Sequence, residues 1–236
     1  MHNSILINSR MTERDFIKSG KVTHVYGPPK VGKSTLSATI ALELALRGKK
    51  TVIISTERPI EIRMDSMLAA HKDYSEDLLQ SILTADIFTI DELLFTIDKK
   101  LENYLQDISL IIIDSLTATY RSNAGPITLT LLRKALSSLQ SIAMNKNIAV
   151  MFTNQVAAVM DQTNSFRPIA AASTRSYSDY TVRLTKKMDE SREVTFEGMN
   201  GEEEEVLEPF TITTAGIEEI NQLFQFHTNL ITCILD

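Results

Sequence analysis

Gly27-Pro28-Pro29-Lys30-Val31-Gly32-Lys33-Ser34 fits the pattern G-x-x-x-x-G-K-[ST]. The chemistry that needs this pattern is phosphate binding. Loop N–H groups must converge on phosphate oxygens, and glycine permits the close approach. A helix beginning at the end of the loop adds the positive end of its dipole. In such a loop Lys33 reaches the β- and γ-phosphates of a nucleoside triphosphate and Ser34 ligates Mg²⁺, with Thr35 next on the helix. A glycine turn carrying a solvated lysine would match the same letters. The flanking pattern, a strand before and a helix after, argues for the phosphate loop.

Three further sites would sit at strand ends. Leu110-Ile111-Ile112-Ile113-Asp114-Ser115 is an apolar run closed by a carboxylate. Asp114 then lies beside the phosphate loop, where it can hold Mg²⁺ through water. Glu57 follows the β-branched run Thr51–Ser55. A carboxylate there either orients water for attack on a γ-phosphate or serves helix N-terminal chemistry before Arg58-Pro59. Thr153-Asn154-Gln155 closes another strand, and Gln155 either senses the γ-phosphate or is ordinary loop solvation. His2, His24, His71 and His227 show no metal-ligand spacing and read as structural or solvated.

These positions require strands and helices in alternation. Strands are expected over Lys21–Tyr26, Thr51–Ser55, Asp86–Ile90, Leu110–Ile113 and Ile148–Thr153. Helices are expected over Lys33–Arg47, Pro59–His71, Asp91–Leu105 (capped by Asp91) and Ile127–Met144. The result is an α/β fold, a doubly wound and mostly parallel sheet with helices on both faces. Beyond it, Gln162–Ser176 reads as a loop. Tyr180–Leu184, Glu193–Phe196 and Pro209–Thr213 read as antiparallel C-terminal strands, with Asn200-Gly201 as the turn between the last two. One domain is expected over 1–236, with its core in about 15–220 and an unplaced C-terminal segment at 221–236. The one cysteine, Cys233, excludes an internal disulfide framework and a multi-cysteine zinc site. No apolar run approaches the ~18–20 residues of a membrane helix, and no secretory signal is visible, so the expected location is the cytoplasm.

Charge is unevenly spread. The net charge is −6. Residues 188–208 carry nine acids and one base, or −8, whereas residues 115–187 carry nine bases and two acids, or +7. The basic stretch is a candidate nucleic-acid surface, although charge alone is more simply accounted for by a well-solvated helical face with no partner.

Taken together and in this order, these residues resemble the RecA/RadA recombinase superfamily, on its archaeal RadA and RadB side. Ile113-Asp114-Ser115-Leu116-Thr117 followed by Tyr120-Arg121 is similar to the family's Walker B strand entering its first DNA-binding loop. Phe152-Thr153-Asn154-Gln155-Val156 resembles a family-specific strand end. Arg167-Pro168-Ile169-Ala170 and Ser178–Leu184 resemble the exit from the second DNA-binding loop and the next core strand, and Phe210–Ile217 the closing strand. The resemblance implies a RecA-like P-loop ATPase core that uses ATP and Mg²⁺ (the latter on Ser34 and Asp114). It implies Glu57 activating water, with Lys33 and Gln155 beside the γ-phosphate, and Arg63 near adenine, one residue short of the family spacing. Tyr120, Arg121, Arg167 and Arg175 are then the DNA-binding residues, and the expected partners are single-stranded DNA and a RadA-type recombinase or other paralogue, with no membrane.

There are departures from the pattern. The phosphate loop begins at Gly27, leaving no room for an N-terminal DNA-binding domain. No Phe-x-x-Ala hook precedes it, and Ala170-Ala171 stands where a glycine pair is expected. These imply a single-domain recombinase paralogue that assists homologous recombination and DNA repair with slow ATP hydrolysis, and that forms no long filaments alone. The alternative is a KaiC-like regulatory ATPase acting on a protein partner.

Overall fold

The computed structural model describes residues 17–158, 166–198, 200–206 and 209–217. The expectations for 221–236, His2, His227 and Cys233 lie outside the described residues. An eight-stranded sheet runs in the order β10-β9-β8-β1-β5-β4-β2-β3. Its parallel part is β1 (Val22–Tyr26), β2 (Lys50–Ser55), β3 (Ile82–Asp86), β4 (Ile108–Asp114), β5 (Ala149–Asn154) and β8 (Tyr180–Lys186). Then β9 (Arg192–Glu197) and β10 (Glu203–Val206) extend it in antiparallel fashion.

Strand β4 shows why the middle of the sheet reads as unbroken hydrophobic sequence. Leu110 and Ile112 enter one core and Ile111 and Ile113 the other, and all four are 0% exposed. A strand covered on both faces has no polar side to alternate with. The first face packs against α1 (Lys33–Leu46) and α2 (Glu61–Ala70) through Leu36, Ile40, Met64 and Met67. The second packs against α3 (Ile90–Phe95) and α5 (Pro126–Lys146) through Leu93, Leu132, Leu136 and Leu139. Pro126 opens α5, where its missing N–H costs nothing, and Asn147 closes it in the left-handed region.

Several expected boundaries move. The strand expected over Asp86–Ile90 lies at Ile82–Asp86, paired from Thr51↔Ile82 to Ser55↔Asp86. As an edge strand it needs little apolar alternation, while Thr89 caps α3 by accepting from the Glu92 N–H at 3.3 Å. Thr89, and not Asp91, is the cap. The expected single helix to Leu105 instead passes through a π turn at Thr96–Lys100 and a 3₁₀ turn at Leu101–Asn103, with Ile97 and Leu101 buried. The described part of the expected 162–176 loop carries regular structure: β7 (Phe166–Pro168) pairs with β6 (Val156–Ala158), and α6 (Ala171–Ser176) follows. Strand β8 is antiparallel only toward β9; toward β1 it is parallel. The Asn200-Gly201 turn joins β9 to the glutamate run in β10, not to Pro209–Thr213. The latter contributes a bridge between Phe210 and Arg192 and a short ribbon of β11 (Ile212–Thr213) with β12 (Gly216–Ile217). A short helix, α4 (Ala118–Arg121), follows β4.

One buried group couples this fold to pH. His24 in β1 is 0% exposed, its ring stacked 4.9 Å from Phe152 and 5.5 Å from Tyr26. Its Nε2 faces the Asn154 amide nitrogen at 3.1 Å, so Nε2 accepts and the ring proton belongs on Nδ1, which has no partner. Burial, aided by the Arg175 charge, lowers its pKa to about 3. The unfolded chain takes the proton near 6.5 and the native state refuses it, so stability falls as pH drops below 6.5 toward about 3. At pH 5 this group removes ~2 kcal/mol relative to pH 7, at about 1.4 kcal/mol per pH unit. Urea unfolding at both pH values should show a shallower acid loss in His24→Leu than in the natural chain; equal losses would assign the acid sensitivity elsewhere.

Candidate functional site

Parallel strands deliver their carboxyl ends to one edge, and loops there define a crevice. Tyr26, Asn154, Asp114 and Ser55 end the neighbouring strands β1, β5, β4 and β2 at that edge. Above them is a cavity of about 560 Å³, lined by the phosphate loop, Glu57, Arg58, Asp114, Ser115, Arg121 and Gln155.

The loop is shaped by what presses on it. Gly32 sits at φ +111, and a Cβ there would lie 2.1 Å from Ile212 Cδ1. A Cβ on Gly27 would lie 2.5 Å from the Leu184 carbonyl oxygen. Lys30 is also left-handed, at φ +63. Val31 does not line the cavity; its side chain is 1% exposed in the core, and its carbonyl accepts from Arg192 Nε at 2.9 Å. Lys33 Nζ donates to the carbonyls of Gly27 and Pro28 at 2.8 and 3.1 Å. Burial lowers its pKa, opposed by Asp114 and Glu57.

Asp114 lies at the closed end. Burial raises its carboxyl above the usual range, against hydrogen bonds from Ser34 and Thr153 and the charge of Lys33. Thr153 donates to Oδ1 at 2.5 Å. A buried carboxylate beside a hydroxyl is a hard-oxygen pair of the kind that would hold Mg²⁺. Among the described residues there is no group of three or more His, Cys, Asp or Glu that would hold a metal by themselves.

Glu57 faces the cavity. Its Oε1 accepts from Ser115 Oγ at 2.8 Å and from Gln155 Nε2 at 2.6 Å. Arg121 Nη1 in turn donates to Gln155 Oε1 at 3.0 Å. The strand end below is tied to both flanking loops. Thr117 donates to Asn154 Oδ1, and Asn154 Nδ2 donates to the Ile169 carbonyl at 3.0 Å.

Other expected site residues lie apart. Arg63 is not in the cavity wall; it donates to Thr35 Oγ1 at 3.2 Å and to the Thr213 carbonyl at 2.6 Å, joining α2 to the phosphate helix and the β11–β12 ribbon. The four expected DNA contacts differ in their surroundings. Tyr120 packs partly buried against the core, and Arg121 lines the phosphate cavity. Arg175 donates to Glu197 at 2.9 Å, with its side chain 20% exposed. Arg167 is exposed on β7 and borders a second cavity with Arg175, Ala171 and Ser176. The +7 stretch is also partly neutralised by the acidic segment. Arg175 and Arg183 pair with Glu197, Arg183 also with Glu203, Lys186 with Glu190 and Lys187 with Glu193. Opposite charges meet across β8 and β9, so two extremes of sequence charge become one paired surface.

Sequence reasoning missed Thr56, Ser115, Thr153 and Arg192. The first three stand at the ends of strands already picked out by Glu57, Asp114 and Gln155, and hydroxyls at those positions are a readable signal. Nothing in the sequence connects Arg192 to Val31.

A family model described as Rad51 matches residues 11–220. The chain is 29% identical over 215 residues to the DNA repair and recombination protein RadB of Methanococcus maripaludis, covering 89% of this chain and 96% of that protein. It is 27% identical over 208 residues to the protein of the same name from Halobacterium salinarum, covering 86% and 88%. A 155-residue stretch is 31% identical to its namesake in Methanobrevibacter smithii, covering 63% and 64%.

The loop geometry makes Gly32 a test of the site. Gly32→Ala forces an L-residue into the left-handed region, at ~1–2 kcal/mol, and drives its Cβ into Ile212. Titration with a fluorescent ATP analogue should show affinity reduced by more than about tenfold. Adding Ile212→Ala returns the space but not the φ cost, so recovery should be partial. Unaltered affinity in Gly32→Ala would mean that the loop does not carry the ligand.

Proposed function

The chain belongs to the Rad51 family, and on that premise we propose that it is an ATP-hydrolysing, DNA-binding paralogue of the recombinases that acts in DNA repair and recombination. The family match favours this reading over a regulatory ATPase with a protein partner. The observation that carries the enzymatic part is the pair of carboxylates at one cavity: Asp114 beside Ser34 at its closed end, Glu57 facing in from the next strand.

ATP is the substrate in this reading. Gly27–Gly32 wrap its phosphates, the backbone N–H groups coming from residues other than Pro28 and Pro29, and Lys33 answers the β/γ charge. Ser34 and Asp114 would hold Mg²⁺, which supplies charge neutralisation on the phosphate oxygens. Glu57 orients a water and accepts its proton as the water oxygen bonds to the γ-phosphorus and the bond to the β-phosphate oxygen breaks, leaving ADP and phosphate. Gln155, hydrogen-bonded to both Glu57 and Arg121, links the site to the segments that resemble the DNA-binding loops. Single-stranded DNA is the proposed nucleic-acid partner and a RadA-type recombinase the proposed protein partner. The described helices include none long and apolar enough to cross a membrane.

Two experiments test this. Lys33→Ala should abolish tight ATP binding, whereas Glu57→Gln should keep binding and cut turnover by ~10²-fold or more. Equal turnover in the natural chain and Glu57→Gln would remove Glu57 from the mechanism. For DNA, Arg167→Ala should weaken oligonucleotide binding by ~1 kcal/mol and reduce the salt slope by about one phosphate contact. Arg175→Ala should act differently. It takes a partner from buried Glu197 and should cost ~2 kcal/mol of stability, less than a fully orphaned charge because Tyr26 and Arg183 still contact Glu197. Loss of DNA binding on Arg175→Ala at unchanged stability would put that guanidinium back on the DNA face.

A further inference from the structure

Strands β2 and β4 pair in register up to Ser55↔Asp114, and the Thr56 N–H extends the ladder by donating to the Asp114 carbonyl at 2.9 Å. Beyond that point the two chains diverge, Glu57 leading toward α2 and Ser115 toward α4. The Thr56 side chain bridges the fork. Its Oγ1 accepts from the Ser115 N–H at 3.0 Å and donates to the Ser115 carbonyl at 2.5 Å. A hydroxyl has one proton and two lone pairs, so one Oγ makes both bonds at once. Thr56 and Ser115 are 6% and 3% exposed, so water does not substitute easily for either bond. The Asp114–Ser115 peptide is cis.

The bracket has a second half. Ser115, held at both its N–H and its carbonyl, donates its own Oγ to Glu57 Oε1 at 2.8 Å. Glu57 is the residue after Thr56, so the bonds close a ring: Thr56 holds the Ser115 peptide, and Ser115 holds the carboxylate next to Thr56. Glu57 is exposed to the cavity, and a free glutamate there would sample many rotamers. The ring restricts them. It also ties the Glu57 carboxylate to the strand end that carries Asp114, so the two acids of the site keep a set separation.

We propose that Thr56 and Ser115 are positioning residues for ATP hydrolysis, the Thr56 hydroxyl fixing the Ser115 peptide and the Ser115 hydroxyl fixing the Glu57 carboxylate. This rests on the reading of the cavity as an ATP-hydrolysing site. Neither residue touches the reacting atoms in this assignment; both act through Glu57. Gln155 also donates to Glu57 Oε1, at 2.6 Å, from an exposed chain tethered to Arg121. Removing the Ser115 hydroxyl therefore leaves Glu57 half-held, and the loss is smaller than in Glu57→Gln.

The test is a kinetic comparison of Ser115→Ala, Thr56→Val and Thr56→Ser with the natural chain and Glu57→Gln. Ser115→Ala and Thr56→Val should lower kcat about tenfold while KM and the affinity for ATP stay within about twofold. Thr56→Ser keeps the hydroxyl and should retain most of the natural kcat, even if its thermal midpoint drops. The carboxyl carbon resonance of Glu57, identified by its loss in Glu57→Gln after ¹³C labelling, should move in Ser115→Ala and Thr56→Val and stay in place in Thr56→Ser. Natural kcat in Ser115→Ala and Thr56→Val, in a protein that Glu57→Gln does inactivate, overturns the assignment and leaves the hydrolysis reading standing. A natural chain without turnover, or turnover indifferent to Glu57→Gln, overturns both. Equal loss of kcat in Thr56→Val and Thr56→Ser would reduce Thr56 to a packing role.

Discussion

A parallel ladder between β1, β5, β4 and β2 is the constraint on which the rest of this molecule depends. Its hydrogen bonds hold four strands in register, so Tyr26, Asn154, Asp114 and Ser55 finish side by side. The carboxylates Glu57 and Asp114 and the amide of Gln155 lie at or within two residues of those ends, and the phosphate loop begins directly after Tyr26. The ladder itself is held by burial on both faces: the isoleucines of β4 alternate between two separate cores. Removal of a buried aliphatic side chain from either core costs ~2–5 kcal/mol, and here it would also shift a strand end that carries the chemistry.

Above the sheet, hydroxyl groups and small pieces of backbone replace the missing ladder. Thr56, Ser115, Thr117 and Thr153 each use a side-chain oxygen to fix a neighbouring strand end or carboxylate. Such bonds are short in reach and few in rotamers, and they suit a site where carboxylates must be held still. The phosphate loop is restrained from the other side by elements far along the chain. Arg192 holds Val31, Ile212 presses on Gly32, and Arg63 ties Thr35 to Thr213.

Electrostatics has a different logic. The acidic hairpin and the basic stretch are sequence neighbours that fold onto each other, with β8 and Lys187 supplying cations and β9, β10 and the turn residue Glu190 supplying carboxylates. Most of these pairs are solvent-exposed and individually worth ~0–1 kcal/mol, so their main effect is on where free positive charge remains. The exception is Glu197, 7% exposed and contacted by Tyr26, Arg175 and Arg183. That cluster joins β1, α6, β8 and β9, and its role is to anchor them.

The local patterns of this protein were legible from its residues. The glycines and Lys33 of the phosphate loop, the apolar run of β4 ending in Asp114, and the helix periodicity of α1 and α5 are each set by nearest-neighbour physics, and they led to the α/β architecture. Edges and pairings were not legible. Strand β3, with one neighbour, carries too little alternation to stand out, and the glutamate run of β10 reads as a solvated strand face or a loop, with nothing in it to name β9 as its neighbour. Only tertiary structure decided that Arg175 faces Glu197, that Arg121 faces the cavity, that Arg192 supports the phosphate loop and that the Thr56 hydroxyl brackets Ser115. Each of those contacts joins residues distant along the chain. Periodicity records which face of an element is buried, and it carries no information about which distant polar group that face will meet.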